Sequence, residues 1–261
     1  MRVMGFDLDG ETPLAPQWGR LRALADRHRP DLLVLPEMPF APWLAAAPSP
    51  DAAAWDDAVA SHASWIDRLD ELHAGVVVTT RPVTHPDARR HNEAVVHVHG
   101  TGVVATRHKT FLPDEPGFHE ARWYRRGPVA FPVVTTPAAT LGLLVCTELW
   151  FPEHARALGR RGAQLLAVPR ATPASSLDRW EAGARVLAVV GGAFCLSVNR
   201  AGGTSDATFG GGSLLVAPEG EVLARSTPDH PHLVAEIDLG AVARARDTYP
   251  RYVDDTPVRA T

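Results

Sequence analysis

The stretch LGLLVCTELWFPEHARALGRRGAQLLAVP, residues 141–169, contains two apolar segments separated by a more polar one. The apolar segments, Leu141 to Cys146 and Gln164 to Pro169, predict two buried strands. Pro152 to Gly162, between them, predict a helix. Because a strand, a helix and a second strand form the repeating unit of α/β folds, this stretch predicts the fold class α/β.

The same alternation continues on both sides of residues 141–169. Helices are expected from about Trp18 to Arg27, over Ala52 to Leu72 and over Leu177 to Val190. Two adjacent strands have hairpin character, because a turn with two glycines at residues 99–102 joins them. Strands are predicted over residues 3–6, 31–37, 75–80, 93–98, 102–106, 193–198, 212–216 and 233–237. Since no linker or internal repeat divides the chain, we expect one domain.

Composition excludes several classes of partner. The 261 residues are 45% apolar and 21% charged, which is ordinary for a globular domain with a sizeable core. A net charge of −4 and a pI near 6.3 give no electrostatic footprint for nucleic acid. Because the chain also has no strongly basic cluster, we expect neither a nucleic-acid partner nor a membrane partner.

The cysteines and the first residues indicate the compartment. Cys146 and Cys195 are the only two cysteines, so the chain has no disulfide framework and no CxxC metal motif. Asp7 and Asp9 lie where a signal peptide needs its apolar core. The longest uncharged apolar run, Val186 to Val198, is too short to span a bilayer. These features predict a cytoplasmic protein without a metal site.

Three predicted strand ends carry reactive side chains. Glu37 ends DLLVLPE, Lys109 ends GVVATRHK and Cys146 ends LGLLVC. Catalytic groups of α/β proteins collect at the carboxyl edges of strands, so we expect these side chains to share one crevice. Lys109 is also the only lysine among 26 basic residues, the others being arginine. A carboxylate, an ammonium and a thiol together form a complete hydrolytic set.

Each member of this set has a chemical role to fill. Cys146 is the candidate nucleophile, because thiols are intrinsically very nucleophilic. Glu37 is the candidate general acid–base, which takes the thiol proton and returns it to the departing amine. Lys109 is the candidate oxyanion stabiliser, beside the backbone N–H of Thr147. A compact ammonium suits this position better than a planar guanidinium, which accounts for a lysine in an arginine-rich chain.

The same residues have structural alternatives. A buried cysteine often serves as a small apolar side chain, which is the role that we assign to Cys195 in GGAFCLSV. Glu37 by itself is compatible with a solvated acid at a strand end. Lys109 by itself is compatible with an accident of base composition. The three residues taken singly therefore leave both interpretations open.

Four longer segments connect these residues to a known family. They are LLVLPEMPF, NEAVVHVHGTGVVATRHKTFLPDEPGFHE, LGLLVCTELWFPEHARALGRRGAQLLAVPRA and the region from SVNRAGG to LVAEIDL. In order and spacing they resemble the nitrilase, or carbon–nitrogen hydrolase, superfamily, and the likeness extends from residue 3 to about residue 239. The resemblance implies a Glu–Lys–Cys triad at Glu37, Lys109 and Cys146.

The resemblance implies further features of the site and the fold. A second glutamate is expected near the lysine, at Glu120 in GFHE, with Glu115 as the alternative. The expected fold is an αββα four-layer sandwich, with residues 1–240 as the carbon–nitrogen hydrolase domain. Two such subunits are expected to pair into an αββα–αββα homodimer or a higher homo-oligomer. Residues 241–261 are similar to the family's C-terminal arm, expected at the dimer interface.

The branch of the superfamily follows from the residues around the cysteine. Nitrilases usually carry Trp-Glu after it, whereas Cys146 is followed by Thr147 and Glu148. Carbamoyl-amino-acid hydrolases often have arginines just after the cysteine, and this chain has none before Arg156. The segments HKTFLPDEPGFHE and WFPEHARAL look most like carbamoyl-polyamine amidases and their plain-amidase relatives.

We therefore expect a cofactor-free amidase that acts on a small linear amide or N-carbamoyl compound through a thioester intermediate. A nitrilase is the first alternative, and an N-acyltransferase or a non-catalytic binding scaffold are further ones. Thr147, Trp150 and Arg170 are the candidate substrate-binding residues. For Arg170, structural pairing with a nearby acid such as Asp178 is the alternative to substrate recognition.

Overall fold

The structure is a computed structural model that describes residues 1–204 and 207–254. In this part of the chain, two six-stranded sheets pack face to face, and helices cover their outer faces. The layers follow the order helix, sheet, sheet, helix. The four-layer αββα sandwich expected from the sequence is thus confirmed.

The first sheet has a parallel centre with antiparallel flanks. Strands β1, β2 and β3 are parallel, whereas the other neighbours pair antiparallel. In spatial order the sheet comprises β14 (His232–Glu236), β1 (Arg2–Phe6), β2 (Leu32–Val34), β3 (Val76–Thr84), β4 (Arg90–Val98) and β5 (Gly102–His108).

The second sheet repeats this plan. In spatial order it comprises β13 (Val222–Arg225), β12 (Leu214–Val216), β9 (Phe194–Asn199), β8 (Leu165–Arg170), β7 (Thr140–Leu143) and β6 (Val133–Thr135). Strands β7, β8 and β9 are parallel. A separate two-stranded sheet consists of β10 (Ala201–Gly203) and β11 (Thr208–Gly210).

The apolar pattern of the strands produces two cores. In β2, Leu32 and Val34 belong to the core between the sheets, whereas Leu33, together with Leu35 directly after the strand, packs in a second core with Trp18. Successive side chains of a strand point to opposite faces, so a wholly apolar strand supplies both cores at once. This explains why the central strands are continuous apolar runs.

Helices close the two outer faces. Those that the structure describes are α1 (Leu14–His28), α2 (Ala52–Ile66), α3 (Glu120–Trp123), α4 (Pro152–Arg160), α5 (Leu177–Gly191) and α6 (Gly240–Arg246). Helices α1 and α2 cover the first sheet, and α4 and α5 cover the second. None of these helices is long and apolar enough to cross a membrane.

Some boundaries differ from the sequence prediction. Helix α1 begins at Leu14, earlier than expected, because a proline such as Pro16 is tolerated in a first helical turn. The helix expected over Ala52 to Leu72 ends at Ile66, and a short 3₁₀ helix, Leu69–Leu72, follows. Strands β6, β10, β11 and β13 were not predicted, since they are short and carry little of the apolar periodicity that marks a strand.

The C-terminal segment lies on the helices of the second sheet. Arg246 donates to the carbonyl oxygen of Ala163 at 3.0 Å, just beyond α4. Arg156 of α4 donates to the carbonyl oxygen of Val253 at 2.7 Å. The described part of the expected arm thus packs against its own subunit, while residues 255–261 of that arm lie outside the described residues.

Candidate active site

The candidate site forms where strands from both sheets end. Glu37 follows β2, Lys109 follows β5 directly, and Cys146 begins a 3₁₀ helix, Cys146–Trp150, soon after β7. The strand before Cys146 therefore ends at Leu143, earlier than the sequence predicted. The structure brings these side chains together at one edge of the sandwich, where the parallel strands end.

Lys109 is the centre of a buried ionic cluster. Its Nζ donates to Glu37 Oε1 at 2.8 Å and to Glu120 Oε1 and Oε2 at 2.8 and 2.7 Å. All three residues are 0% exposed. Glu115, the alternative for the second glutamate, instead lies in the wall of the adjoining cleft. One ammonium is thus shared by two carboxylates.

Glu37 has one occupied and one open oxygen. Oε1 accepts from Lys109 and also from Asn92 Nδ2, which lies at 2.7 Å. Oε2 is buried and has no hydrogen-bond partner among residues 1–204 and 207–254. A buried carboxylate oxygen without a donor is costly, so it is suited to receive a proton or a substrate N–H.

The backbone is strained at two points of the site. Cys146 has φ 47° and Met38, next to Glu37, has φ 48°. A positive φ is uncommon for residues other than glycine, and such strain concentrates at functional sites. At Cys146 it turns the chain sharply between β7 and the following helix. Because of this turn, the thiol faces the cleft and does not continue the pattern of the strand.

Arg200 holds the turn at Met38. Its guanidinium is fully buried and donates to the carbonyl oxygens of Met38 and of Ala41, the latter at 3.0 Å. The N–H of Met38 donates to Thr80 Oγ1 at 2.8 Å. Burial lowers the pKa of Arg200 to about 10, so the guanidinium remains a cation at neutral pH. The residue therefore fixes the direction in which Glu37 points.

Cys146 lies at the base of the cleft. Its side chain is 4% exposed, and Sγ is 3.7 Å from the carbonyl oxygen of Ala171, to which the thiol donates. The backbone N–H of Thr147 has no acceptor among the described residues. Burial raises the pKa of the Cys146 thiol, and the Glu37 charge raises it further while Lys109 opposes both. The resting site therefore holds a neutral thiol.

The pKa values of the lysine and the second glutamate shift together. Burial alone would lower the pKa of Lys109, but the charges of Glu120 and Glu37 outweigh it and hold that pKa well above its usual value. Burial raises the pKa of Glu120 to about 8, with Lys109 opposing the shift and Glu37 adding to it. Two carboxylates around one ammonium thus leave the cluster with an affinity for one extra proton near neutral pH.

Tyr124 adds a polar group to this cluster. Its hydroxyl is buried and has no hydrogen-bond partner among the described residues. Burial, together with the charges of Glu120 and Glu37, raises the pKa of Tyr124 well above its usual value. The phenol is therefore neutral, and its O–H is free to donate.

A cleft of about 570 Å³ opens above Cys146. Thr147 and Trp150, two of the three expected substrate-binding residues, belong to its wall. The wall consists of Pro113, Asp114, Glu115, Phe118, Glu120, Cys146, Thr147, Trp150, Ala171, Thr172, Pro173, Ser175, Ser176, Arg179 and Trp180. Its volume suits a small molecule rather than a polymer.

Arg170, the third expected substrate-binding residue, is not part of this wall. Its guanidinium is fully buried and donates to Ser197 Oγ at 2.9 Å, to Thr172 Oγ1 and to the carbonyl oxygen of Gly212 at 2.9 Å. Asp178, the acid suggested for a structural pairing, is not among these partners. All of the bonds are internal, which favours a structural role, and substrate recognition by Arg170 stays a prediction.

The site offers no evident metal position. Among the residues that the structure describes, no group of three or more His, Cys, Asp and Glu side chains is arranged to hold a metal ion. The two carboxylates of the cluster are already bound to the Lys109 ammonium. The chemistry available from the described side chains is proton transfer, thiol attack and electrostatic stabilisation.

Several residues of this site were not predicted from the sequence. Asn92 and Arg200 lie within NEAVV and SVNRAGG, two of the segments that carry the family resemblance. The available signal was a polar residue at the end of an otherwise apolar strand, which must find a buried partner. Tyr124 gave no such signal, because nothing local distinguishes it from an ordinary core aromatic.

The sequence matches the carbon–nitrogen hydrolase family model over residues 11–247. The chain belongs to this family, which confirms the resemblance seen in the sequence. It is 31% identical over 193 residues to an N-carbamoylputrescine amidase of Solanum lycopersicum, a match that covers 66% of this chain. The chain spans 62% of the length of that relative, less than two thirds.

Solved structures share the fold. A carbon–nitrogen hydrolase from Helicobacter pylori G27 has a TM-score of 0.86 at 23% identity, with 96% of this chain and 94% of that chain covered. A mutant amidase from Nesterenkonia sp. AN1 has a TM-score of 0.77 at 24% identity, with 95% and 94% covered. It carries the acetamide moiety of fluoroacetamide covalently on its active-site cysteine. At these identities the likeness establishes the fold alone.

Proposed function

We propose that the chain is a cysteine-dependent amidohydrolase that cleaves a non-peptide C–N bond of a small linear amide or N-carbamoyl compound. The observation that carries this proposal is the buried Lys109 ammonium, bound by Glu37 and Glu120 beside the Cys146 thiol. The cost of burying three ionisable groups is large, so a purely structural origin is disfavoured.

The first half-reaction forms a thioester. The Cys146 sulfur attacks the substrate carbonyl carbon while the thiol proton moves to Glu37, whose Oε2 has no partner among the described residues. Because burial raises the pKa of the thiol, proton transfer accompanies the attack and does not precede it. The tetrahedral intermediate then collapses, the C–N bond breaks, and Glu37 returns the proton to the departing amine or ammonia.

The negative charge of the intermediate needs donors already in position. Lys109 donates to one oxygen of Glu37 and to both oxygens of Glu120 in the resting site. The substrate oxygen receives an N–H of Lys109 when one of the two Glu120 contacts is exchanged for it. The N–H of Thr147, which has no acceptor among the described residues, is the second donor. Two fixed donors in a buried site stabilise the oxyanion strongly.

The second half-reaction restores the enzyme. Glu37 takes a proton from a water molecule, whose oxygen attacks the thioester carbon. The new tetrahedral intermediate uses the same two donors, Lys109 and Thr147. When it collapses, the C–S bond breaks, the sulfur receives the proton from Glu37, and the acid departs.

The relatives support the reaction class. One of them is an N-carbamoylputrescine amidase. In a mutant of the Nesterenkonia amidase the active-site cysteine is covalently bound to the acetamide moiety of fluoroacetamide, which agrees with a cysteine nucleophile. The proposed amide or carbamoyl substrate agrees with both.

Charges in the cleft wall support a substrate with a cationic tail. Glu115 lines the cleft, and its carboxylate has no hydrogen-bond or ion-pair partner among the described residues. Asp114 is already bound to His119 and Arg122. Glu115 is therefore the free acid for an amine tail, as in a carbamoyl amine. Arg179 is a cation of the same wall that has no ion-pair partner within residues 1–204 and 207–254, and it supplies a control of opposite sign.

The experiment is a panel of substrates assayed for ammonia release, with Cys146→Ala as the blank. It contains neutral amides, carbamoyl amines with a free amino end, carbamoyl amino acids and simple nitriles. We expect turnover of amides and carbamoyl amines. Acid and ammonia from nitriles alone would identify a nitrilase. No turnover of any compound, together with a thiol that iodoacetamide does not alkylate, would support a binding scaffold.

A matched pair of variants tests the cationic tail. Glu115→Gln should raise KM for carbamoyl amines by up to about fivefold and leave neutral amides unchanged, because an exposed ion pair contributes up to about 1 kcal/mol. Arg179→Gln should not raise KM for carbamoyl amines. A Glu115→Gln effect of equal size on neutral amides would contradict recognition of the amine.

We also propose a homodimer formed through α4 and α5. An exposed apolar residue on α5, Val186, supports this surface, since it is 49% exposed. Analytical ultracentrifugation tests it: wild type should sediment as a dimer, and Val186→Glu should shift the population toward the monomer. A wild-type monomer at all concentrations would contradict the proposal.

A further inference from the structure

A second buried ion pair lies beside the catalytic cluster. Arg107 is in β5, two residues before Lys109, and Glu148 is in the 3₁₀ helix that starts at Cys146. Their side chains are 5% and 0% exposed. Arg107 donates through Nη1 to Glu148 Oε2 at 2.6 Å and through Nη2 to Glu148 Oε1 at 2.7 Å. This two-pronged contact fixes both groups in one plane.

The Glu148 carboxylate also binds two backbone amides. Oε1 accepts from the N–H of Thr110 at 2.6 Å, and Oε2 accepts from the N–H of Val145 at 2.7 Å. Thr110 follows Lys109 in the chain, and Val145 precedes Cys146. One carboxylate therefore joins the backbone next to the lysine of the first sheet to the backbone next to the cysteine of the second.

We infer that Glu148, held by Arg107, is a positioning residue that sets the distance between the Lys109 ammonium and the Cys146 thiol. The inference rests on the proposed function, in which Lys109 stabilises the oxyanion formed at Cys146. An oxyanion donor is effective only within about 2.7–3.1 Å of the developing charge. The two residues come from different sheets, so a direct link between their backbones limits relative movement of the sheets at this point.

The strained backbone at Cys146 gives this link a second purpose. A cysteine at φ 47° keeps that conformation only when its surroundings hold it. Glu148 closes a local ring with Val145, because its own N–H donates to the Val145 carbonyl oxygen at 3.1 Å while its carboxylate accepts from the Val145 N–H. Glu148 therefore holds both the backbone N–H and the backbone carbonyl of Val145, the residue before Cys146.

The hydrogen-bond pattern requires a carboxylate at residue 148. Each oxygen of Glu148 accepts two N–H groups, one from Arg107 and one from the backbone. In a glutamine, one of these oxygens becomes an NH₂ group, which would face two donors in either orientation of the amide. The glutamine of Glu148→Gln is therefore nearly equal in size to glutamate, but it breaks the hydrogen bonds at one end of the link between Thr110 and Val145.

The test compares Glu148→Gln with wild type by two measurements. The first is steady-state turnover of the amide found in the substrate panel, where we expect kcat to fall by about 10²-fold with little change in KM, the scale of a misplacement of about 1 Å. The second is the rate of alkylation of Cys146 by iodoacetamide as a function of pH, followed by peptide mass mapping. Because Lys109 lowers the pKa of the thiol, a larger separation should move this profile to higher pH.

Glu71→Gln is the matched control. Glu71 accepts from Arg68 Nε at 2.9 Å and Nη2 at 3.0 Å, and from Trp18 Nε1 at 2.9 Å. The Glu71→Gln variant therefore loses the same kind of contact, but in the layer of α1 and outside the cleft wall. We expect Glu71→Gln to lower the melting temperature while its kcat and its alkylation profile stay those of wild type.

Arg107→Lys is a milder variant, and it replaces Glu148→Gln in the test if that variant does not fold. The lysine removes the fork but leaves both backbone bonds of Glu148, so its shift of the alkylation profile should be smaller than that of Glu148→Gln and still measurable. A folded Glu148→Gln, or Arg107→Lys if only that variant folds, with wild-type kcat and a wild-type profile would overturn the inference. The alkylation measurement needs no substrate, so it supports or refutes the positioning role even if no amide is turned over.

Discussion

The two cysteines of this chain occupy contrasting environments. Both residues are buried, with an exposed fraction of 4% for Cys146 and 0% for Cys195, and burial raises the pKa of both thiols. Cys195 lies in regular β9, opposite Leu166 of β8 and Val216 of β12. Cys146 lies at a strained turn, electrostatically coupled to Glu37 and Lys109, and in the wall of the cleft. Burial and thiol acidity therefore do not separate a nucleophile from a core residue, whereas neighbours and access do.

Replacing Cys146 is the strongest test of this contrast. Cys146→Ala should abolish turnover, with a loss in kcat on the order of 10⁶-fold, because it removes the attacking atom. The fold should remain, since alanine also fits the space of the thiol. Activity on the best substrate of the panel and the circular dichroism spectrum measure the two effects. Retained activity would mean that Cys146 is not the nucleophile.

Lys109→Arg tests whether the neighbours of Cys146 act by shape as well as by charge. Arginine keeps the cation but cannot fit its planar group between Glu37 and Glu120 at the same distances. We expect kcat to fall by about 10²–10³-fold, the range for the loss of one oxyanion donor. Near-normal kcat in a folded variant would mean that only the charge matters.

The pH dependence of stability tests the ionic cluster of Glu37, Lys109 and Glu120, which lies beside Cys146 and not beside Cys195. Burial raises the pKa of Glu120 from 4.5 to about 8, so the folded state binds this proton more tightly than the unfolded state. The resulting stability is fully present below about pH 4.5 and is lost as the pH rises through about 8. The melting temperature of wild type should therefore fall over this range more steeply than that of Glu120→Gln. Parallel curves would contradict the shifted pKa.

Cys195→Ala has the smallest expected effect. The residue packs between β8 and β12, so its loss should lower the free energy of unfolding by about 1 kcal/mol, as for a modest core truncation. Turnover should stay close to that of wild type. Chemical denaturation and the amide assay measure both quantities. An inactive but folded Cys195→Ala would reverse the assignment of the two cysteines.

The layers of the fold could be predicted because they depend on local pattern. The apolar runs that became β2, β8 and β9 are long enough to identify strands buried on both faces. Edge strands such as β6 and β13 were missed, because they have only three and four residues and their apolar pattern is too short to identify a strand. The αββα layering itself came from the family resemblance, since local pattern does not reveal how two sheets pack.

The candidate site could be predicted only in part, because its contacts join residues far apart in the chain. Glu37, Lys109 and Cys146 were recognisable as chemical groups at strand ends. The bonds of Glu37 to Asn92 and of Glu148 to Thr110 link segments that only the packing of strands brings together. Arg170 was expected at the cleft from its strand-end position, but its long side chain turns inward to oxygens of neighbouring strands. The sequence indicates where a strand ends, but it does not indicate the direction in which a long side chain at that end points.

Trapping the acyl-enzyme tests the assignment of Cys146 most directly. A good amide substrate is mixed with wild type, quenched in acid within the first turnovers, and the peptides are analysed by mass spectrometry. We predict that the acyl mass appears on the peptide that contains Cys146, disappears with hydroxylamine as a thioester should, and is absent from the peptide with Cys195. An acyl mass on Cys195, or turnover by a Cys146→Ala variant, would contradict the account.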